Sequence, residues 1–125
     1  IDIHIEITNA NAGTRTSAIN AATVALIDAG IEMRDVVASI AAGKVEDQVI
    51  LDLFQDEDNF GQADLPIAMM PRTGEITLVQ MDGDMTAAEI KKAIDMGEKA
   101  CLKIAKVQRK AIIDEYKNNE VKNNE

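Results

Sequence analysis

The chain opens on strict alternation, with Ile1, Ile3, Ile5 and Ile7 separated by Asp2, His4 and Glu6. Period two with isoleucine on one side predicts a half-buried strand, with His4 on its polar face. From Thr16 to Ala29 the period changes. This run is rich in alanine, and Ile19, Ala22, Leu26 and Ala29 fall on one side of a helix. Gly30 supplies a left-handed stop. Asp35 to Val45 and Gln48 to Phe54 read as two strands joined at Glu46-Asp47. Asp64 to Met70 and Glu75 to Met81 read as a second pair, joined by the turn residues Pro71-Arg72-Thr73-Gly74. Pro66 cannot donate to a ladder, so it predicts an edge or a bulge. Asp82-Gly83-Asp84 reads as a turn. Thr86 and Glu89 then have the spacing of a capping box at the start of a long helix. The apolar stripe of that helix is Ile90, Ile94, Gly97, Cys101, Ile104 and Ala111, and lysines and arginines fill the other face. Such a face is a solvated surface or a subunit contact. Residues 117–125 form a polar tail expected to fray.

Strand, helix, two strands, two strands, helix is the order of an α+β fold: a mixed or antiparallel sheet packed by two main helices. The 125 residues suit one domain, drawn here as 1–116 followed by the tail. Phe54, Phe60 and Tyr116 are the only aromatic residues, so the core is aliphatic and bases have little to stack on. A net charge of −9 opposes a general nucleic-acid surface. Any grip on nucleic acid must come mostly from elsewhere. Cys101 is the sole cysteine, which excludes an internal disulfide and fits a reducing, cytoplasmic setting. No apolar run is long enough to span a membrane. The chain begins inside its first strand-like run, so an N-terminal neighbour is expected.

Two stretches carry candidate chemistry. Asn11 to Asn20 places Gly13, Thr14, Arg15 and Thr16 between a strand-like and a helix-like run. Free N–H groups and the helix dipole favour an anion at such a start, and Arg15 adds a planar fork of donors matched to phosphate oxygens. A plain capped helix, with Thr14 or Thr16 as N-cap, accounts for the same residues. The second stretch is acidic: Asp52, Asp56, Glu57, Asp58 and Asp64. A calcium loop is excluded, because its fifth position is Phe60 and its twelfth is Ile67. Asp64, at the mouth of an apolar strand, is expected to be desolvated, and a carboxylate such as Asp58 nearby would raise its pKa further. Such a group serves as a general acid, or the pair holds magnesium. An acidic surface loop is the remaining reading.

Taken together, the two stretches resemble the RNase PH family of phosphorolytic ribonucleases, and within it the catalytic ring subunits of archaeal exosomes. The likeness lies in Ala12-Gly13-Thr14-Arg15-Thr16, Asp28-Ala29-Gly30-Ile31, Met33-Arg34-Asp35, Asp52-Leu53, Glu57-Asp58 and Ala63 to Pro71. It runs from Ile1 to about Ile113, roughly the C-terminal half of a family member. The resemblance implies that Gly13, Thr14 and Arg15, with Thr16 beside them, hold inorganic phosphate as co-substrate. It implies that Asp64 protonates the leaving 3′ oxygen of RNA, and that Asp58 is its partner, linked to a divalent metal such as Mg2+. Some relatives have an aspartate where Gln62 stands and a lysine where Pro66 stands. The implied activity is 3′-to-5′ phosphorolysis of RNA, releasing nucleoside diphosphates. The implied partners are the RNA 3′ end, a homologous non-catalytic subunit in a six-membered ring, and RNA-binding cap proteins. A non-catalytic ring subunit of the same fold, or an anion-binding domain unrelated to RNA, are the alternatives. The fragment alone is expected to be inactive or very weak.

Overall fold

The apolar runs in the middle of the chain are extended, and a shared ladder satisfies the backbone groups they bury. In the computed structural model, which describes residues 1–122, the elements are α1 (Thr14–Asp28), β1 (Ala38–Val45), β2 (Gln48–Leu51), α2 (Gln55–Phe60), β3 (Ala63–Met70), β4 (Glu75–Val79), β5 (Asp82–Gly83) and α3 (Ala87–Lys122). All the pairings are antiparallel. The strand order is β2-β1-β3-β4, and β5 also pairs with β3. The expected α+β architecture holds, with an antiparallel sheet.

Side chains alternate across this sheet. On one face Ala38, Ala42, Ala63, Leu65, Ile67 and Met69 pack with Ala93, Cys101 and Ala105 of α3. The buried line of α3 begins Ala93, Gly97, Cys101 and Ala105, all small, so the helix lies close to the strands there; Gln108 continues it. A Cβ at Gly97 would stand 2.9 Å from Ile67 Cδ1, so a larger residue there costs about 1–3 kcal/mol in overpacking. The expected stripe is therefore displaced: Ile90, Ile94 and Ile104 flank the buried line, and Ala111 is exposed. The capping box forms as expected. Thr86 N donates to Glu89 Oε2 at 2.7 Å, and Glu89 N donates to Thr86 Oγ1 at 3.3 Å. α3 also continues past Tyr116 to Lys122, where a frayed tail is expected. Residues 123–125 of that tail lie outside the described residues.

α1 sits differently from its expected pose. β2 covers only Ala42 to Val45 of β1, leaving the earlier backbone of β1 open on that side. Asn20 takes the place of a strand there: its Nδ2 donates to Ser39 O and its Oδ1 accepts from Ser39 N, both at 2.8 Å. Thr23 Oγ1 donates to Val37 O at 3.0 Å, and Gln108 Nε2 of α3 reaches the same carbonyl at 3.1 Å. The buried side of α1 is thus largely polar, with Thr16 and Thr23 its buried residues and Ile27 packed against the core at its far end. Ala22, Leu26 and Ala29 instead face a depression shared with Ile1, Ile3 and Ile31.

Three further expectations are corrected. Ile1 to Ile7 form no strand, and all four isoleucines are exposed; alternation makes a strand only where an open edge is at hand. β2 ends at Leu51, and the acidic stretch read as a loop is the short helix α2, with Glu57 Oε2 accepting from Phe54 N at 3.0 Å. Pro66 lies in central β3, not on an edge. Its side towards β4 and β5 falls between the Asp64–Asp82 and Ile67–Val79 pairs, where the ladder is interrupted, so its missing N–H costs nothing there.

Candidate functional site

Helix α1 starts without a side-chain cap. Its N-cap is Gly13 at φ +60°, and Ala12 before it is also left-handed at φ +62°. Neither Thr14 nor Thr16 caps the helix. The Thr16 hydroxyl donates backwards to Gly13 O at 2.8 Å, and it accepts nothing from the first-turn amides. The first turn has no acidic residue to offset its partial positive charge. Amides that no side chain claims, at the positive end of a fifteen-residue helix, are suited to an anion.

That helix start opens onto a depression of about 150 Å³ lined by Ala12, Gly13, Thr14, Arg15, Thr16, Ala41, Asp58, Asp64 and Pro66. All six residues singled out from sequence therefore line one cavity. Asp64 comes from β3, opposite Gly43 of β1 and Asp82 of β5. Asp58 comes from α2. Burial pushes the Asp64 carboxyl above its ordinary value, the Asp58 charge pushes it further, and the Arg15 guanidinium pulls it back in part. A carboxyl in such a setting keeps its proton to higher pH than an exposed one, as a proton donor needs.

Two residues that sequence reasoning passed over hold this arrangement. Asn11 Oδ1 accepts from Gln55 N at 3.0 Å, so the loop leading to Gly13 caps the helix that carries Asp58. Asparagine is a favoured capping residue, but the helix it caps was expected to be a loop. Gln80, between β4 and β5, accepts a hydrogen bond at Oε1 from Arg15 Nη1. Sixty-five residues separate the two, and no local spacing links them. Asp82 is the second carboxylate acting on Asp64, after Asp58. Asp52, though in the acidic stretch, is exposed and lines none of this depression.

Residues 35–100 match the model of the 3′ exoribonuclease family, domain 2 (RNase_PH_C). The chain is 56% identical over 116 residues to exosome complex component Rrp41 of Methanopyrus kandleri, covering 93% of this chain and 48% of that protein. It is 52% identical to the Thermoplasma acidophilum Rrp41, covering 94% of this chain and 47% of the relative. It is 53% identical to the Nitrosopumilus maritimus protein of the same name, over 93% and 48%. The chain spans about half the length of these relatives. In fold it is similar to rice (Oryza sativa) Rrp46 in its crystal structure, with a TM-score of 0.79, 23% identity, and coverage of 84% of this chain and 50% of that one. With more than half of its length matched by the family model, the chain belongs to the RNase PH-type 3′ exoribonuclease family and contains that family's domain 2.

Proposed function

We propose that this chain supplies the phosphate cradle and the acid of a phosphate-dependent 3′-to-5′ exoribonuclease, working as the catalytic subunit of an exosome ring. The observation that carries the proposal is the single depression in which the uncapped start of α1 and Arg15 face Asp64. Inorganic phosphate sits on the amides of the first turn, and Arg15 offsets its charge. So placed, a phosphate oxygen attacks the terminal phosphodiester phosphorus in line. A new P–O bond forms as the bond to the 3′ oxygen breaks, and Asp64 gives its proton to that leaving oxygen. The products are a nucleoside diphosphate and RNA shortened by one nucleotide. In the reverse direction, RNA tailing, Asp64 acts as the base.

Asp58 would hold a magnesium ion, with Asp64 as second ligand through the carboxyl oxygen that does not carry the transferable proton. Among the described residues no group of three or more His, Cys, Asp or Glu side chains could hold a metal. Two carboxylates suffice for magnesium, which keeps several of its waters and takes substrate phosphates as further ligands. Bound there, it supplies charge neutralisation on the phosphates. The −9 charge assigns most of the RNA grip to other parts of the assembly: the remaining half of the full-length protein, a homologous non-catalytic ring subunit, and RNA-binding cap proteins.

The deciding experiment assembles the full-length subunit with its ring partner and supplies 3′-labelled RNA and magnesium, with and without phosphate. Phosphate-dependent release of nucleoside diphosphates is expected. Monophosphates would make water the nucleophile and overturn the phosphate cradle, and no cleavage would leave a structural ring subunit.

A further inference from the structure

Arg15 has three carboxylates nearby and takes none of them. Asp58 and Asp64 line the same depression, and Asp82 pairs with Asp64 across the β3–β5 ladder. Yet among the described residues Arg15 makes no ion pair within 4.0 Å, and its side-chain hydrogen bond goes to the neutral amide oxygen of Gln80. Gln80 is itself anchored, its backbone N donating to Pro66 O at 3.2 Å. That bond falls where the ladder between β4 and β5 is interrupted, so the gap opposite Pro66 brings Gln80 beside the wall of the depression. Arg15 therefore spans from α1, past the depression, to the far side of β3.

We infer that Gln80 is a positioning residue, which holds the Arg15 guanidinium over the depression while leaving its positive charge unspent. The inference rests on the proposal that Arg15 holds phosphate. The choice of residue follows from charge. A guanidinium has five N–H donors, so one bond to Gln80 leaves the others for phosphate oxygens. A carboxylate in place of the amide would fix the arginine equally well, but would compete with the anion for its charge. With nothing there, the long side chain is free either to leave the depression or to settle on Asp58, Asp64 or Asp82. Either outcome lowers affinity for phosphate without touching the reacting atoms.

The test uses the full-length subunit assembled with its ring partner, measuring the phosphate and RNA dependence of diphosphate release in Gln80→Ala, Gln80→Glu and Arg15→Ala. Loss of one charge-assisted bond at an exposed site is expected to raise the half-saturating phosphate concentration in Gln80→Ala by about 3- to 10-fold. The RNA concentration for half-maximal rate and the rate at saturating phosphate should stay close to wild type. Gln80→Glu, which keeps length and folding, should raise half-saturating phosphate further than Gln80→Ala. If Arg15→Ala raises it and both Gln80 variants leave it unchanged, the positioning role is overturned while the cradle stands. If Gln80→Ala instead weakens RNA and phosphate equally, Gln80 contacts RNA and the inference also fails. If Arg15→Ala itself leaves phosphate dependence unchanged, the cradle fails and the Gln80 role falls with it.

Discussion

Two polar clusters hold the two ends of helix α1's buried side, and they treat their hydrogen bonds in opposite ways. In the seam of Asn20, Thr23, Ser39 and Gln108, donors and acceptors are matched but for one Gln108 oxygen: Ser39 Oγ donates to Ile67 O at 2.8 Å, and Asn20 uses both ends of its amide on one strand residue. Gln108 Oε1 is the one buried side-chain atom without a partner among the described residues. At the first turn of the same helix the amides have no cap, two consecutive residues are left-handed, and Asp64 bears the cost of burial. The contrast teaches that the matched cluster fixes where α1 lies, and that the unmatched one is thereby kept open. Polar groups left to themselves at a helix start would otherwise collect a capping side chain, as at Thr86.

The comparison can be broken at each cluster. The largest effect is expected from Asp64→Asn. It removes the transferable proton and the buried charge together, so phosphorolysis should fall by about 10²- to 10⁴-fold, with RNA binding intact. The sign for stability is the reverse of the usual loss. A raised carboxyl pKa favours the protonated fold, so wild-type stability falls as pH rises through the Asp64 value. Asp64→Asn should therefore melt at an equal or higher temperature than wild type at neutral pH. A lower melting temperature would show that the charge is satisfied in the fold. The same shift predicts that wild-type phosphorolysis declines, and tailing rises, as pH climbs through that value; a flat profile in both directions would remove Asp64 from proton transfer.

Next in size is Asn20→Leu, which leaves Ser39 N and O without partners. A loss of about 2–3 kcal/mol is expected in urea unfolding, with activity falling only as far as folded protein is lost. A variant fully folded but inactive would mean that the seam and the depression are one unit, erasing the contrast. The smallest effect belongs to Thr86→Ala, which strips the cap from α3 and should cost about 1 kcal/mol. There the backbone N–H of Thr86, with Lys44 and the Thr86 hydroxyl, holds the Glu89 carboxyl down to about 2. Its contribution is fully present above the ordinary glutamate value of 4.5 and is lost as pH falls towards about 2. Glu89→Gln should flatten that part of the acid-unfolding curve; an unchanged curve would show that the cap carries no charge-dependent stability.

The parts of this molecule that were legible in its sequence share a short range. The β3–β4 turn at Pro71-Arg72-Thr73-Gly74, the Thr86–Glu89 box and the Gly13–Thr16 helix start are each written within four residues. What escaped depends on distant partners. Ile1 to Ile7 alternate faultlessly and still form no strand, since a ladder belongs to two segments. The buried side of α1 is Thr16, Asn20 and Thr23, which hydrophobic periodicity counts as polar and sends to solvent. Gln80 acts only through a ladder gap and a residue sixty-five positions away. Asp58 and Asp64 were readable as a pair from the acidic stretch and the apolar strand that follows it, and again through the resemblance, whereas the stretch around Asp58 reads as a loop and is the helix α2.

Cys101 gives the molecule a chemical clock. Its thiol is fully buried on the small-residue line of α3, with Sγ 3.4 Å from Ala38 O, and burial pushes its pKa up to about 11. Since the thiolate is the reactive form, alkylating reagents find almost nothing to attack while α3 stays seated on the sheet. With one cysteine in the sequence, every labelled molecule marks a single event, the lifting of α3 from Ala38. The rate of labelling at neutral pH thus times how often that contact opens, without a probe having to be engineered into the chain.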